Sequence, residues 1–213
     1  MNMEKLKAEF DTQKQTLIDK EYPTLAMLSA DAFSALIDPL REKLEGLDVS
    51  DIDIESGYLP FVIVVSHTCV NTADAMAAIV RDGQTGITKL TPLTPEDFHP
   101  TDAVTIPDTA AYLLVGIDRG KGSLNVKPQD ALIEIKEKIR SPLTIDEGIA
   151  IVTQHPEFLI RNNCFSLLAS RHTGDKRVPA IWLNGKNHPN LGWCWDGNPH
   201  TWLGSASCSS RVG

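Results

Sequence analysis

Apolar residues recur at helical spacing through the first fifty positions. Met3, Leu6, Phe10 and Leu17 share one face, and the Tyr22-Pro23 step ends that helix because a residue before proline is pushed out of the α region. Ser29 then offers an N-cap with Asp31 in the first turn behind it. Phe33, Leu36, Ile37, Leu40, Leu44 and Leu47 form the apolar stripe of a second helix, which must pack on something.

Beyond an acidic linker, Asp48 to Glu55, the pattern changes from period 3.6 to strands. Phe61 to Val65 is continuously apolar and β-branched, as in a strand buried on both faces. Ala75 to Val80 and Gly86 to Leu90 read as strands flanking a hairpin at Arg81 to Thr85. Thr94-Pro95-Glu96-Asp97 opens a short helix, and Tyr112 to Ile117 is a further strand. Pro128 to Arg140 is helical, with Leu132, Ile135 and Ile139 on one face. Thr144-Ile145-Asp146-Glu147 is a capping box for a helix reaching about Gln154. Val178 to Leu183 and Leu191 to Trp195 are short strands, and Asn198-Pro199 caps a last helical turn ended by Gly204. Helices and strands mix without a regular βαβ rhythm. The expected fold is therefore α+β, with a helical segment at 1–50 and a mixed or antiparallel sheet with packed helices at 51–213, in one continuous domain.

Bulk properties narrow the function. The 213 residues carry a net charge of −8, which argues against nucleic acid as a partner, because phosphate binding needs clustered Lys and Arg. The best basic cluster is only Lys136, Lys138 and Arg140. No apolar run approaches the roughly 20 residues that cross a bilayer, and Met1 to Phe10 lacks the apolar stretch of a secretory signal. A cytoplasmic location is the expectation. The cysteines at 69, 164, 194 and 208 are then reduced thiols, since their spacings are wide and no CxxC occurs.

Leu143 to Gly148, Asn163 to Leu168, Gly192-Trp193-Cys194-Trp195 and Asn198-Pro199-His200-Thr201-Trp202-Leu203-Gly204 resemble an uncharacterised bacterial family, a domain of unknown function of actinobacteria and some firmicutes. The likeness spans most of the chain and is sharpest from about Asp118 to Cys208. It implies a stand-alone domain and supplies no activity, cofactor or catalytic residues.

Candidate chemistry concentrates near the C-terminus, where all four tryptophans fall between positions 182 and 208. In an extended Leu191 to Trp195, Leu191, Trp193 and Trp195 share one face, and Gly192 and Cys194 the other. The following turn brings Asp196, Asn198 and His200 to the strand's end. Indole rings rimmed by short polar groups suit a small sugar- or nucleoside-like ligand, so Trp182, Trp193, Trp195, Asp196, Asn198, His200 and Trp202 are the expected binding residues. Core packing of the same rings is the plainer alternative.

A second expectation is a thiol- or histidine-dependent hydrolase or transferase, with Cys194 or Cys208 as nucleophile and His200 as base. A third is an interaction protein using the Phe33 to Leu47 stripe against a partner or its own copy. His67 and Cys69, two apart at the end of the Phe61 strand, are weak zinc candidates, because a strand of mixed polarity explains them as well, and no metal or cofactor is expected. Asp146 and Glu147 read as first-turn carboxylates serving cap and dipole. Asp118 to Gly122 lacks the spacing of a phosphate loop and reads as a turn.

Overall fold

The computed structural model describes residues 1–213. Its first helix, Met3–Asp19, starts where Asn2 accepts a hydrogen bond from the Lys5 amide and buries Leu6, Phe10, Gln13 and Leu17. Gln13 is a polar residue with structural work to do. Its Nε2 donates to the Phe61 carbonyl (3.1 Å) and its Oε1 accepts from the Ile63 amide (2.8 Å). Those groups lie on the outer edge of the Tyr58–Val65 strand, so one amide side chain satisfies part of a sheet edge that would otherwise invite another strand.

The first helix ends at Asp19, before the Tyr22-Pro23 step expected to stop it. That step instead opens a four-residue helix, Tyr22–Leu25, with the proline in its first turn. The next helix spans only Ala30–Ile37, with Ser29 capping the Ala32 amide. The expected continuation to Leu47 changes at Asp38 into a 3-10 segment, Asp38–Leu44. Pro39 has no N–H to donate and crowds the preceding turn, which explains the break. The stripe keeps its purpose, since Phe33, Ile37, Leu40 and Leu44 are all buried.

Two five-stranded sheets follow. In the first, Ala111–Asp118 is central, antiparallel to Tyr58–Val65 on one side and to Ser207–Cys208 and Ser210–Val212 on the other, with Ser141–Pro142 beyond Ser207–Cys208. The second runs Leu203–Ser205, Cys164–Ser166, Arg177–Leu183, Pro189–Trp195, Ile87–Thr88, with parallel pairs at both edges and antiparallel pairs between. The chain steps from one sheet to the other through Ala206 alone. At this corner Gly204 and Gly120 meet backbone to backbone. A Cβ on Gly204 would lie 2.2 Å from the Gly120 carbonyl oxygen, so neither position has room for a side chain.

The result is an α+β fold whose helices and sheets share one apolar core, a cluster of 50 buried residues reaching from Leu6 to Cys208. No helix is long and apolar enough to cross a membrane.

Several local readings change. Ala75 to Val80 is not a strand: Thr72–Ala77 is a helix whose N-cap, Asn71, accepts from the Ala73 and Asp74 amides. The hairpin is confined to Val80–Arg81 and Gln84–Thr85. The helix from Pro128 ends at Glu137 and buries Pro128, Ala131 and Ile135, while Ile139 lies beyond it, 91% exposed with φ +54°. No helical turn forms at Asn198, and Gly204 lies within a strand because the corner requires it.

Candidate functional site

The seven residues expected to wall one depression separate onto two faces of the second sheet. Trp182 stands opposite Asn190, and Gly192, two residues along, shares that face. The indole lies directly over the glycine, where a Cβ would fall 2.2 Å from Trp182 Cη2. Trp182 packs edge-on against Trp202 (5.8 Å between centroids), and Trp202 lies against His200 (5.3 Å). Trp193 and Trp195 point to the other face and meet each other at 5.1 Å. There the Arg177 guanidinium sits 4.7 Å over Trp193 and 5.3 Å from Trp195, in the place a ligand would take. Asp196 pairs with Arg171 at 3.2 Å, and Asn198 is exposed on its turn.

The cysteine constellation does not assemble. Cys194 is buried, with Ser166 Oγ at 3.9 Å its only side-chain partner, and burial raises its pKa. Cys208 lies in the other sheet, and its own burial pushes the thiol up to about 12. His200 hydrogen-bonds neither thiol, its buried Nε2 has no partner, and burial lowers its pKa. A nucleophilic cysteine needs the reverse, a depressed pKa and a neighbouring imidazole.

The structure brings other residues together. The Tyr58–Val65 strand ends in Ser66 and His67, beside the N-termini of two helices, Thr72–Ala77 and Ile145–Gln154. These close one side of a cavity of about 240 Å³. The Pro95–Asp97 turn, the His99–Pro100 strand with its partner Ser170–Arg171, Ile106 and Tyr112 complete the wall. The charged and titratable lining consists of His67, His99, Glu96, Asp146 and the Tyr112 phenol, with no lysine or arginine.

His67 Nδ1 lies 2.7 Å from Asp146 Oδ2, which also accepts from the His67 backbone amide at 3.2 Å. Thr72 Oγ1 donates to the other carboxylate oxygen at 3.2 Å. The hydrogen bond from the ring to Asp146 raises the His67 pKa, and partial burial opposes it more weakly. A carboxylate only accepts, so Nδ1 carries the proton, and in the neutral ring Nε2 keeps a free lone pair. Across the cavity Asn71 Nδ2 donates to Glu96 Oε1 at 3.3 Å. Hydrogen bonds from its own amide and from Thr94 hold the Glu96 carboxyl below its ordinary pKa.

The adjacent carboxylates of the helix's first turn divide their work. Thr144 and Glu147 form the expected capping box. Glu147 is wholly buried and also receives Tyr112 Oη (3.0 Å), Arg211 Nε (2.5 Å) and Arg211 Nη2 (2.8 Å). Asp146 instead reaches the cavity. No three His, Cys, Asp or Glu side chains converge as a metal site would require.

The His67–Asp146 pair was outside the residues expected to act. Its only trace in the sequence is a histidine after a buried strand, read as a strand end or weak zinc candidate, and a second acidic residue beside a capping glutamate, read as a dipole partner. A protein-family model, described as a family of unknown function (DUF5701), matches residues 16–213. No curated protein and no solved structure matches the chain.

Proposed function

The chain belongs to this family of unknown function, DUF5701, and we propose that it binds a small polar molecule, neutral or cationic, in the cavity over His67 and Asp146. The observation that carries this reading is the lining: two imidazoles and two carboxylates border a solvent-open cleft without a lysine or arginine, with the His67 ring itself 57% exposed. Such a wall repels phosphates and carboxylates, which are normally held by Arg or Lys, and offers acceptors to hydroxyl, amine and amide groups. Size sets a further bound. The volume of about 240 Å³ lies just below the usual range for drug-sized ligands. The tryptophan faces are a poorer host, because Arg177 already stacks on Trp193 and Trp195. The acidic chain with four free thiols suits the cytoplasm, the location this reading adopts.

The test is to follow the His67 ring C2–H resonance by NMR while adding choline, ethanolamine, ribose, uridine and glycerol, with phosphate and acetate as anionic controls. Saturable shifts from neutral or cationic compounds support the reading. Shifts from the anions alone, or from none of the set, overturn it.

A further inference from the structure

We propose that His67 acts as the general base of a water-dependent hydrolase that cleaves small neutral or cationic esters in this cavity. The inference rests on the binding reading above and adds a reaction to it. Asp146 is its positioning residue. The carboxylate is held from two sides, by the His67 amide and by Thr72 Oγ1, and fixes the imidazole through Nδ1. Nε2 has no partner within the protein and belongs to a ring that lines the cavity.

The neighbouring hydroxyls and thiol point to water as the nucleophile. Ser66 Oγ lies 3.1 Å from Thr68 Oγ1 and accepts from the Thr68 amide. Ser170 Oγ accepts from the Ile145 amide at 3.0 Å. Burial raises the Cys69 pKa. None of the three is hydrogen-bonded to His67, as an activated nucleophile would be.

In the reaction, Nε2 takes a proton from water as the water oxygen bonds to the acyl carbon. The imidazolium then returns that proton to the alkoxide oxygen as the carbon–oxygen bond breaks. An alcohol and a carboxylic acid result, the acid loses its proton to solvent, and His67 is neutral again. The charged groups that line the same cleft, Asp146 against the ring and Glu96 elsewhere on the wall, explain the substrate class. Asp146 and Glu96 disfavour an ester carrying its own carboxylate and favour a cationic one, while His99 adds a second imidazole to the wall. They also repel the carboxylate product, which promotes its release.

The experiment measures hydrolysis of p-nitrophenyl acetate, acetylcholine and p-nitrophenyl hydrogen succinate by the full chain and by the His67→Gln, Asp146→Asn and His188→Gln variants. The native protein should exceed an equal concentration of free imidazole at least tenfold on the first two esters and not on the anionic third. His67→Gln should lose about 100-fold, the scale of general-base catalysis, and His188→Gln nothing. Asp146→Asn should lose about tenfold and move the midpoint of the pH–rate curve to lower pH, which a purely structural role would not do. Urea midpoints of the variants guard against misfolding. No rate above free imidazole, or a His67→Gln protein as active as the native one, overturns the proposal. Choline or ribose shifting the His67 resonance without any hydrolysis removes the reaction and leaves the binding reading standing. Failure of both removes both.

Discussion

Asp146 and His67 are 79 residues apart in the chain and 2.7 Å apart in the fold. The contact joins the end of a central-sheet strand to the first turn of a helix, and neither residue is required there for the core. Replacing Asp146 with Asn removes the hydrogen-bonded charge that raises the imidazole pKa. An NMR titration should find the His67 midpoint lower in the variant than in the native protein. An unchanged midpoint would mean the two side chains do not interact in solution.

The Glu147–Arg211 pair is buried on both sides, with side-chain exposures of 0% and 6%. Arg211 also donates to Ser141 Oγ and the Pro142 carbonyl, and Tyr112 and Thr144 complete the glutamate's partners. Arg211→Ala leaves a buried carboxylate without its counter-charge and should cost about 3–5 kcal/mol in urea unfolding. Tyr112→Phe removes one hydrogen bond of several and should cost about 1 kcal/mol. A double change to Glu147→Met with Arg211→Leu should cost less than Arg211→Ala alone, because no charge is orphaned.

His155 ties the first helix to the end of the Ile145–Gln154 helix, with Nε2 at 3.3 Å from Glu9 and Nδ1 at 3.4 Å from Glu157. Burial alone would lower its pKa, but the two carboxylates outweigh that and carry it up to about 9. A folded pKa above the unfolded value of about 6.5 gives stability that is complete below pH 6.5 and is lost as the pH rises through about 9. The loss should be on the order of 3 kcal/mol. Thermal melts between pH 6 and 10 check this, and Glu9→Gln should flatten the decline.

The thiols should divide by burial. Cys164, Cys194 and Cys208 are buried and Cys69 is half-buried, and burial raises the pKa of all four. Iodoacetamide at neutral pH should modify Cys69 first and reach the others only after unfolding. Rapid labelling of Cys194 or Cys208 would contradict their placement and revive a thiol nucleophile.

The α+β architecture was legible because its signals are local. The Phe61 strand, the Ser29 cap and the Thr144 capping box each depend on residues within one turn or one strand. Pro39 was an equally local signal that the strong Leu40–Leu47 stripe masked. Ala75 to Val80 was misread because Ala, Met, Ile and Val form an apolar run without a decisive period, and Asn71, which caps the helix, lies outside it. The site was less legible. Alternation correctly separated Trp193 and Trp195 from Gly192 and Cys194. The register that lays Trp182 over Gly192, however, belongs to strand pairing. Nothing near His67 announces Asp146, since that contact is made by how the sheet and helix pack.

The step through Ala206 gives the two sheets a common fate. Leu203–Ser205 forms the edge of one, while Ser207–Cys208 lies between two strands of the other. If the close Gly120–Gly204 approach is forced open, both sheets lose a strand in the same event. The amides at that corner should then exchange with deuterium through one shared opening, with matching protection in Cys164–Ser166 and in Ser207–Cys208. A corner that small should make the two sheet edges that meet there open together.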